Sequence, residues 1–168
     1  MEGNTIYINS NVYLVINLLG KGKGGYSYLV SDGHDKYVIK QIHHEPCDYY
    51  SFGNKLESEI NDYEILNNLG IPMPKMIEID YSNERILKEY IKGETVAQLL
   101  DKKVYDPSWI KQIKDMCDIL YPAGINIDYY PTNFVLNDKT LFYIDYECNQ
   151  YIEEWDFEHW GIQYWSIK

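Results

Sequence analysis

The sequence predicts an α+β fold: a five-stranded antiparallel sheet with one helix inserted after its third strand, then a shorter, mainly helical region. Two observations predict it. Short runs rich in Val, Ile, Leu and Tyr, separated by Gly-, Asn- and Asp-bearing turns, fill the first half of the chain. Apolar residues change to a spacing of three and four from Asn54 and again after Asp106. With 168 residues, 45% of them apolar, the chain can bury one core or the cores of two small lobes.

Taken in order, "VYLVINLLG" (12–20) and "YSYLV" (26–30) read as strands flanking a glycine-rich stretch, and "KYVIKQI" (36–42) follows the turn "SDGHD". From Asn54 to Leu69, the residues Leu56, Ile60, Tyr63, Leu66 and Leu69 describe one helix face. Gly70 and the prolines of "IPMP" end that helix. "KMIEID" (75–80) and "RILKEYI" (85–91) complete the sheet across the turn "YSNE".

After Gly93 a short helix is expected near "TVAQLL" and a longer one behind Asp106, with Asp106 as N-cap and Pro107 as first helical residue. Trp109, Ile110, Ile113, Met116, Cys117 and Leu120 form its apolar stripe. "FVL" and "LFYI" then make a hairpin around "NDKT". The aromatic tail should form one or two short helices whose tryptophans close the second region; exposed, they would mark a docking surface for another protein.

The formal net charge of -11, from 26 acidic and 15 basic residues, repels phosphate backbones and anionic lipid, so neither nucleic acid nor a membrane surface is expected as partner. A basic protein would be attracted. Cys47, Cys117 and Cys148 lie far apart without a C-x-x-C pair, which argues against a disulfide framework or structural zinc and suits a reducing compartment. "MEGNTIYINSN" lacks the pattern of a signal peptide, and no apolar run approaches the roughly 18 residues of a membrane span. A soluble, cytoplasmic protein is the expectation.

Several polar residues exceed what such a scaffold needs. Gly20, Gly22 and Gly25 match G-x-G-x-x-G, with Gly24 between them, a spacing that lets backbone N–H groups approach phosphates. A dinucleotide-binding unit would need a helix after the third glycine, whereas "YSYLV" is strand-like. Lys40 ends the strand "YVIK" on the same face as Val38. On the following helix Glu59 falls on the apolar stripe while Glu57 and Glu64 point away, and a carboxylate placed there requires a partner, for which Lys40 is the candidate.

Further on, Asp128 and Asn133 stand five apart, and Asp145 follows Asn133 by twelve residues across the hairpin. This is the D-x-x-x-x-N spacing of a phosphoryl-transfer loop, in which the carboxylate takes the acceptor's hydroxyl proton. Asn133 and Asp145 would share Mg²⁺, which wants oxygen ligands. His43 and His44 point apart on a strand and are expected to be solvated.

In these residues the chain resembles the protein-kinase-like superfamily, in its small atypical branch of RIO-type kinases, the KEOPS kinase subunit and the aminoglycoside and choline phosphotransferases. The resemblance runs from about Val12 to Trp160. "RILKEYIKGETVAQLL" looks like the fifth strand, hinge and next helix of that branch, and "LGIPMPKMIEID" like its helix exit and fourth strand. "IDYYPTNFVL" and "FYIDYE" look like its catalytic loop and metal motif.

The resemblance implies a two-lobed, protein-kinase-like fold with an N-lobe over 1–91 and a strongly shortened C-lobe over 92–168. It implies ATP and Mg²⁺, with Gly20 to Gly25 as a lid, Lys40 on the α and β phosphates and Glu59 orienting Lys40. Backbone groups near Glu89 and Ile91 would take adenine, Asp128 would be the catalytic base, Asn133 and Asp145 the metal ligands, and Asp156 a brace for the loop.

Asn126 and Ile127 stand where the family has His and Arg or Gly. Tyr130 replaces an assisting Lys or His, and Lys88 an apolar hinge residue. Only 23 residues follow Asp145, too few for a full substrate lobe. The implied activity is transfer of the γ-phosphoryl group of ATP to a hydroxyl on a protein or small molecule, with a protein partner in place of the missing lobe. A nucleotide-binding scaffold without transfer, and a dinucleotide-dependent oxidoreductase, are the alternatives.

Overall fold

The computed structural model describes residues 4–22, 24–44 and 54–168. Lys23 and Cys47 lie outside them. The described chain is a mixed α+β structure that divides into two compact units, residues 1–60 with 74–90, and residues 61–73 with 91–168.

The first unit is built on six antiparallel strands, one more than the sequence predicts. They are β1 (Thr5–Ile8), β2 (Asn11–Lys21), β3 (Gly25–Ser31), β4 (Lys36–Ile42), β5 (Met76–Asp80) and β6 (Arg85–Glu89), in the order β1-β2-β3-β4-β6-β5. The extra strand β1 pairs Thr5 to Ile8 with Leu14 to Asn11. Asn9, in the left-handed region at φ 51° where asparagine is tolerated, turns the chain between them.

The sheet curls until its two edge strands meet. Asn9 donates its backbone N–H to Asp80 Oδ2 at 2.8 Å and its side-chain amide to Glu78 Oε2 at 2.9 Å. Buried Asp80 also accepts from the Asn83 side chain and backbone; these bonds, with that from Asn9, hold its carboxyl below the usual range.

Strand alternation sends Ile8, Tyr13, Val30, Ile39 and Leu87 into one core cluster. Ile42 and Ile86 go to the opposite face, where Leu56 and Ile60 of helix α1 (Lys55–Leu69) cover them. Asn54 caps that helix by accepting from the Glu57 N–H at 3.0 Å.

In the second unit α1 ends as predicted: Gly70 takes φ 83°, and the Ile71 N–H returns to the Leu66 carbonyl at 3.2 Å. A short strand β7 (Glu94–Thr95) leads into α2 (Val96–Asp101), started by a capping box between Thr95 and Gln98. Helix α3 (Ser108–Leu120) buries Trp109, Ile113, Met116, Cys117 and Leu120. The helix starts one residue later than expected, with Pro107 rather than Asp106 at the N-cap and no side-chain cap; Asp106 Oδ1 still accepts from the Ser108 N–H at 2.9 Å.

Three small strand pairings complete this unit. β8 (Ile125–Ile127) pairs with β11 (Cys148–Gln150), β9 (Phe134–Asn137) with β10 (Thr140–Tyr143), and β9 also with β7. The tail forms two single 3₁₀ turns, Glu153–Trp155 and Gly161–Tyr164. Of its tryptophans, Trp165 is buried and Trp155 exposed.

Candidate functional site

In the first unit the candidate residues gather at the turn between β2 and β3. β2 runs through Gly20 to Lys21, so Gly20 is a strand residue, and the turn closes where the Gly22 N–H donates to the Gly25 carbonyl at 2.9 Å. A Cβ on Gly25 would stand 2.3 Å from the Gln41 carbonyl oxygen, so that glycine is required for β3 to approach β4. At Gly20 and Gly22 a Cβ would meet nothing within 4 Å among the described residues, so no packing within them demands glycine there.

At Gly24 a Cβ would stand 3.6 Å from Lys40 Nζ. The Lys40 ammonium thus lies against the turn's backbone, and it also donates to Glu59 Oε1 at 2.8 Å. The two side chains are 14% and 9% exposed, so this ion pair is screened only weakly. Local structure explains the meeting: β4 alternates Val38, Lys40 and Ile42 onto the face that α1 covers, and Glu59 precedes buried Ile60 on that helix. Glu57 and Glu64 are exposed.

His43 is more than a solvated loop residue. Its Nε2 lies 2.8 Å from the Gly22 carbonyl oxygen, its backbone N–H donates to the Gly24 carbonyl at 3.2 Å, and its ring packs on Tyr26 with centroids 5.3 Å apart. It clasps both ends of the glycine turn. His44 instead pairs with Glu84 at 2.8 Å. Glu89 closes β6 with its N–H given to the Lys75 carbonyl at 2.9 Å, so that donor is taken. Ile91, in the second unit, is half-buried outside regular structure.

The second unit brings Asp128, Asn133 and Asp145 together through its backbone. Asn133 Nδ2 donates to the Asp128 carbonyl at 3.3 Å, which turns Oδ1 away from that carbonyl. The Asn133 carbonyl accepts from the Ile144 N–H at 2.9 Å, setting Asp145 one residue from that bond. Asp128 Oδ1 accepts from the Tyr130 N–H at 3.1 Å.

Tyr143, fully buried, ties the two segments. Its hydroxyl accepts from the Asp128 N–H at 3.2 Å and donates to the Glu147 carbonyl at 2.7 Å. Burial first, then the charge of Asp145, raises its phenol well above the ordinary value, so it remains a neutral donor.

Comparison with protein-family models and with curated proteins finds no match. The site stands on its geometry alone.

Sequence reasoning missed what holds this loop. The Trp165 indole N–H donates to the Tyr129 carbonyl at 2.7 Å, the Tyr129 ring meets Phe157 at 5.7 Å, and a Cβ on Gly161 would stand 2.6 Å from Tyr129 Cβ. Only an unusual aromatic density in the tail signalled it. Asp156, expected to brace the loop, instead accepts from the Tyr151 hydroxyl at 2.7 Å and from the His159 N–H and Nδ1, each at 2.8 Å. It orders the tail. Asn126 gives Nδ2 to the Ile152 carbonyl at 2.9 Å, while its buried Oδ1 has no partner among the described residues.

Chemically, the first unit offers a cation against a glycine turn, suited to an anionic ligand. The second carries the Asp128 carboxylate and, on segments joined to it by backbone bonds, the oxygen-bearing side chains of Asn133 and Asp145, types of group that take a proton or bind a hard divalent ion. Among the described residues no three His, Cys, Asp or Glu side chains cluster as a metal site, so a metal here would rely on Asn133 and on ligand oxygens. No helix among them is long and apolar enough to cross a membrane.

Proposed function

We propose that the protein is a small ATP- and Mg²⁺-dependent kinase of protein-kinase-like, two-lobed build, transferring the γ-phosphoryl group to a hydroxyl acceptor. The observation that carries this reading is the Lys40 ammonium held by Glu59 against Gly24. An oriented cation beside backbone that lacks side chains suits the α and β phosphates of a nucleotide. Among the described residues nothing stands within 4 Å of a Cβ at Gly20 or Gly22, which suits an approach of those phosphates.

Asp128 accepts the proton of the acceptor hydroxyl as its oxygen bonds to the γ-phosphorus. The bond from that phosphorus to the β,γ-bridging oxygen breaks, and ADP departs. Asn133 Oδ1 and the Asp145 carboxylate are the ligands that would hold Mg²⁺, whose charge offsets that on the phosphates. Tyr143 fixes the backbone of Asp128, and Asn133 bonds its carbonyl, so the base is positioned before substrate arrives.

A second reading is a nucleotide-binding scaffold without transfer. Tyr130 favours it: in the position where the resemblance expects an assisting cation, its ring is turned onto Tyr164 with centroids 5.1 Å apart. Asp128→Asn decides between them. Transfer should fall by about 10²–10⁴-fold with ATP affinity kept within about twofold. Unchanged turnover would remove Asp128 from the chemistry, and ATP binding without product from any wild-type preparation would leave the scaffold. NAD stabilising the chain more than ATP in a thermal shift would overturn both readings.

A further inference from the structure

Four rings run edge to edge across the second unit from the candidate base. Tyr130, two residues after Asp128, meets Tyr164 at 5.1 Å, Tyr164 meets Trp160 at 5.3 Å, and Trp160 meets Trp155 at 5.7 Å. Tyr130 and Trp155, the two ends, are 42% and 54% exposed. The row is not core: the tail seals the unit with Phe157 and Trp165, which are buried. At the Tyr130 end a cavity of about 170 Å³ opens, lined in part by Pro131, Leu100 and Tyr164.

At the Trp155 end of the row carboxylates outnumber cations. Glu153, Glu154 and Glu158 are exposed in the same segment as Trp155 and Trp160, which also carries exposed His159. Glu153 approaches His159 at 3.5 Å and Glu158 accepts from Tyr121, while Glu154 has no partner among the described residues. Ring faces and carboxylates both attract a desolvating cation, and the whole chain carries -11. Asp101, Lys103 and Lys168 also line the cavity, and there the Lys103 ammonium donates to the Lys168 carbonyl.

We propose that this aromatic row is the docking surface for an Arg- or Lys-bearing segment of a protein acceptor. Its basic side chains lie over Trp155, Trp160 and Tyr164, and its hydroxyl residue reaches past Tyr130 to Asp128. The role of acceptor rests on the phosphoryl-transfer reading; the docking itself does not. Arg suits the site better than Lys, because its planar guanidinium stacks on rings and is more weakly hydrated.

The test titrates the whole chain with a short blocked peptide of Arg, Ser and Gly, read by tryptophan fluorescence and calorimetry, beside the same peptide with Glu or Gln in place of Arg. Asp128→Asn protein is used for binding, so that turnover does not intrude. Saturable binding of the Arg peptide alone is expected, weakened about tenfold by Trp155→Ala and by Glu154→Lys, and weakened by salt. Both positions are exposed, and the charge reversal serves if the tryptophan variant folds poorly.

With wild-type protein, either substitution should raise KM for the peptide and leave kcat and KM for ATP unchanged. Equal binding of the Glu or Gln peptide, or indifference to both substitutions, overturns the proposal. Arg-peptide binding without phosphate on its serines keeps the docking surface and sinks the kinase reading. Transfer to simple alcohols without Arg-peptide binding does the reverse.

Discussion

Lys40 and Glu59 were legible as a pair because two periodicities, two in the strand and 3.6 in the helix, each fixed a face, and a carboxylate facing a core needs a cation. Removing one partner leaves the other desolvated. Glu59→Ala should cost about 1–3 kcal/mol in urea unfolding, against less than about 0.5 for Glu57→Ala or Glu64→Ala. Equal effects at all three would show that the ion pair contributes nothing to stability. His43 was illegible, since its partners are backbone carbonyls of a turn some twenty residues away, and no spacing rule reports them. His43→Ala should loosen that turn and raise KM for ATP several-fold with kcat little changed, and His43→Gln, which keeps a donor, should restore part of the loss.

The Asp156–His159 pair sets a pH window. The Asp156 hydrogen bond, then its charge, raises the His159 imidazole above its ordinary value. Burial alone would raise Asp156, but hydrogen bonds from the His159 N–H, the Tyr151 hydroxyl and the His159 ring outweigh it and leave the carboxyl lowered. The imidazolium contribution is therefore complete below about pH 6.5 and fades as pH rises through the elevated histidine value; the carboxylate contribution is complete above about 3.9 and fades as pH falls through the depressed one. Melting curves of wild type and His159→Asn should differ most between about pH 4 and 6.5 and converge in alkali.

At the scale of elements, helices α1 and α3 were readable because their stripes, caps and stops agree, and the β9–β10 hairpin because two apolar runs flank one polar turn. β1 was not. Four residues beside the N-terminus carry almost no periodicity, and what makes "TIYI" a strand is its partner β2 and the tie from Asn9 to β5. The 3₁₀ turn Gly161–Tyr164 was indistinct for the same reason: Phe157 and Trp165, which flank it, are tied to Tyr129, a contact no local propensity reports.

The glycines separate fold from function within one element. Gly25→Ala collides with strand backbone and should destabilise by about 1–3 kcal/mol, whereas Gly22→Ala should melt like wild type and still bind ATP less well if phosphates approach that turn. Nucleotide affinity unaffected by Gly22→Ala would place the phosphates elsewhere.

For the molecule as a whole, a charge of -11 implies self-repulsion, so the melting temperature should rise by a few degrees between low salt and about 0.5 M as that repulsion is screened. The candidate site was half-legible at this scale. The candidates Asp128, Asn133 and Asp145 could be singled out by type and spacing, because proton acceptors and oxygen ligands are few, and backbone bonds link their segments. What stabilises the loop could not, because Tyr143, Gly161 and Trp165 act through hydroxyl, backbone and ring contacts that many sequences could supply.

The indole of Trp165 grips a carbonyl thirty-six positions earlier in the chain. A single protease cut in the exposed stretch 152–155 would leave nearly every covalent bond intact yet free that grip to dissociate. The nicked protein should keep its first-unit contacts, including Lys40 with Glu59, while Tyr129 and the neighbouring Asp128 lose their fixed position. The phosphoryl transfer proposed for Asp128 would then vanish long before the far-ultraviolet dichroism changed.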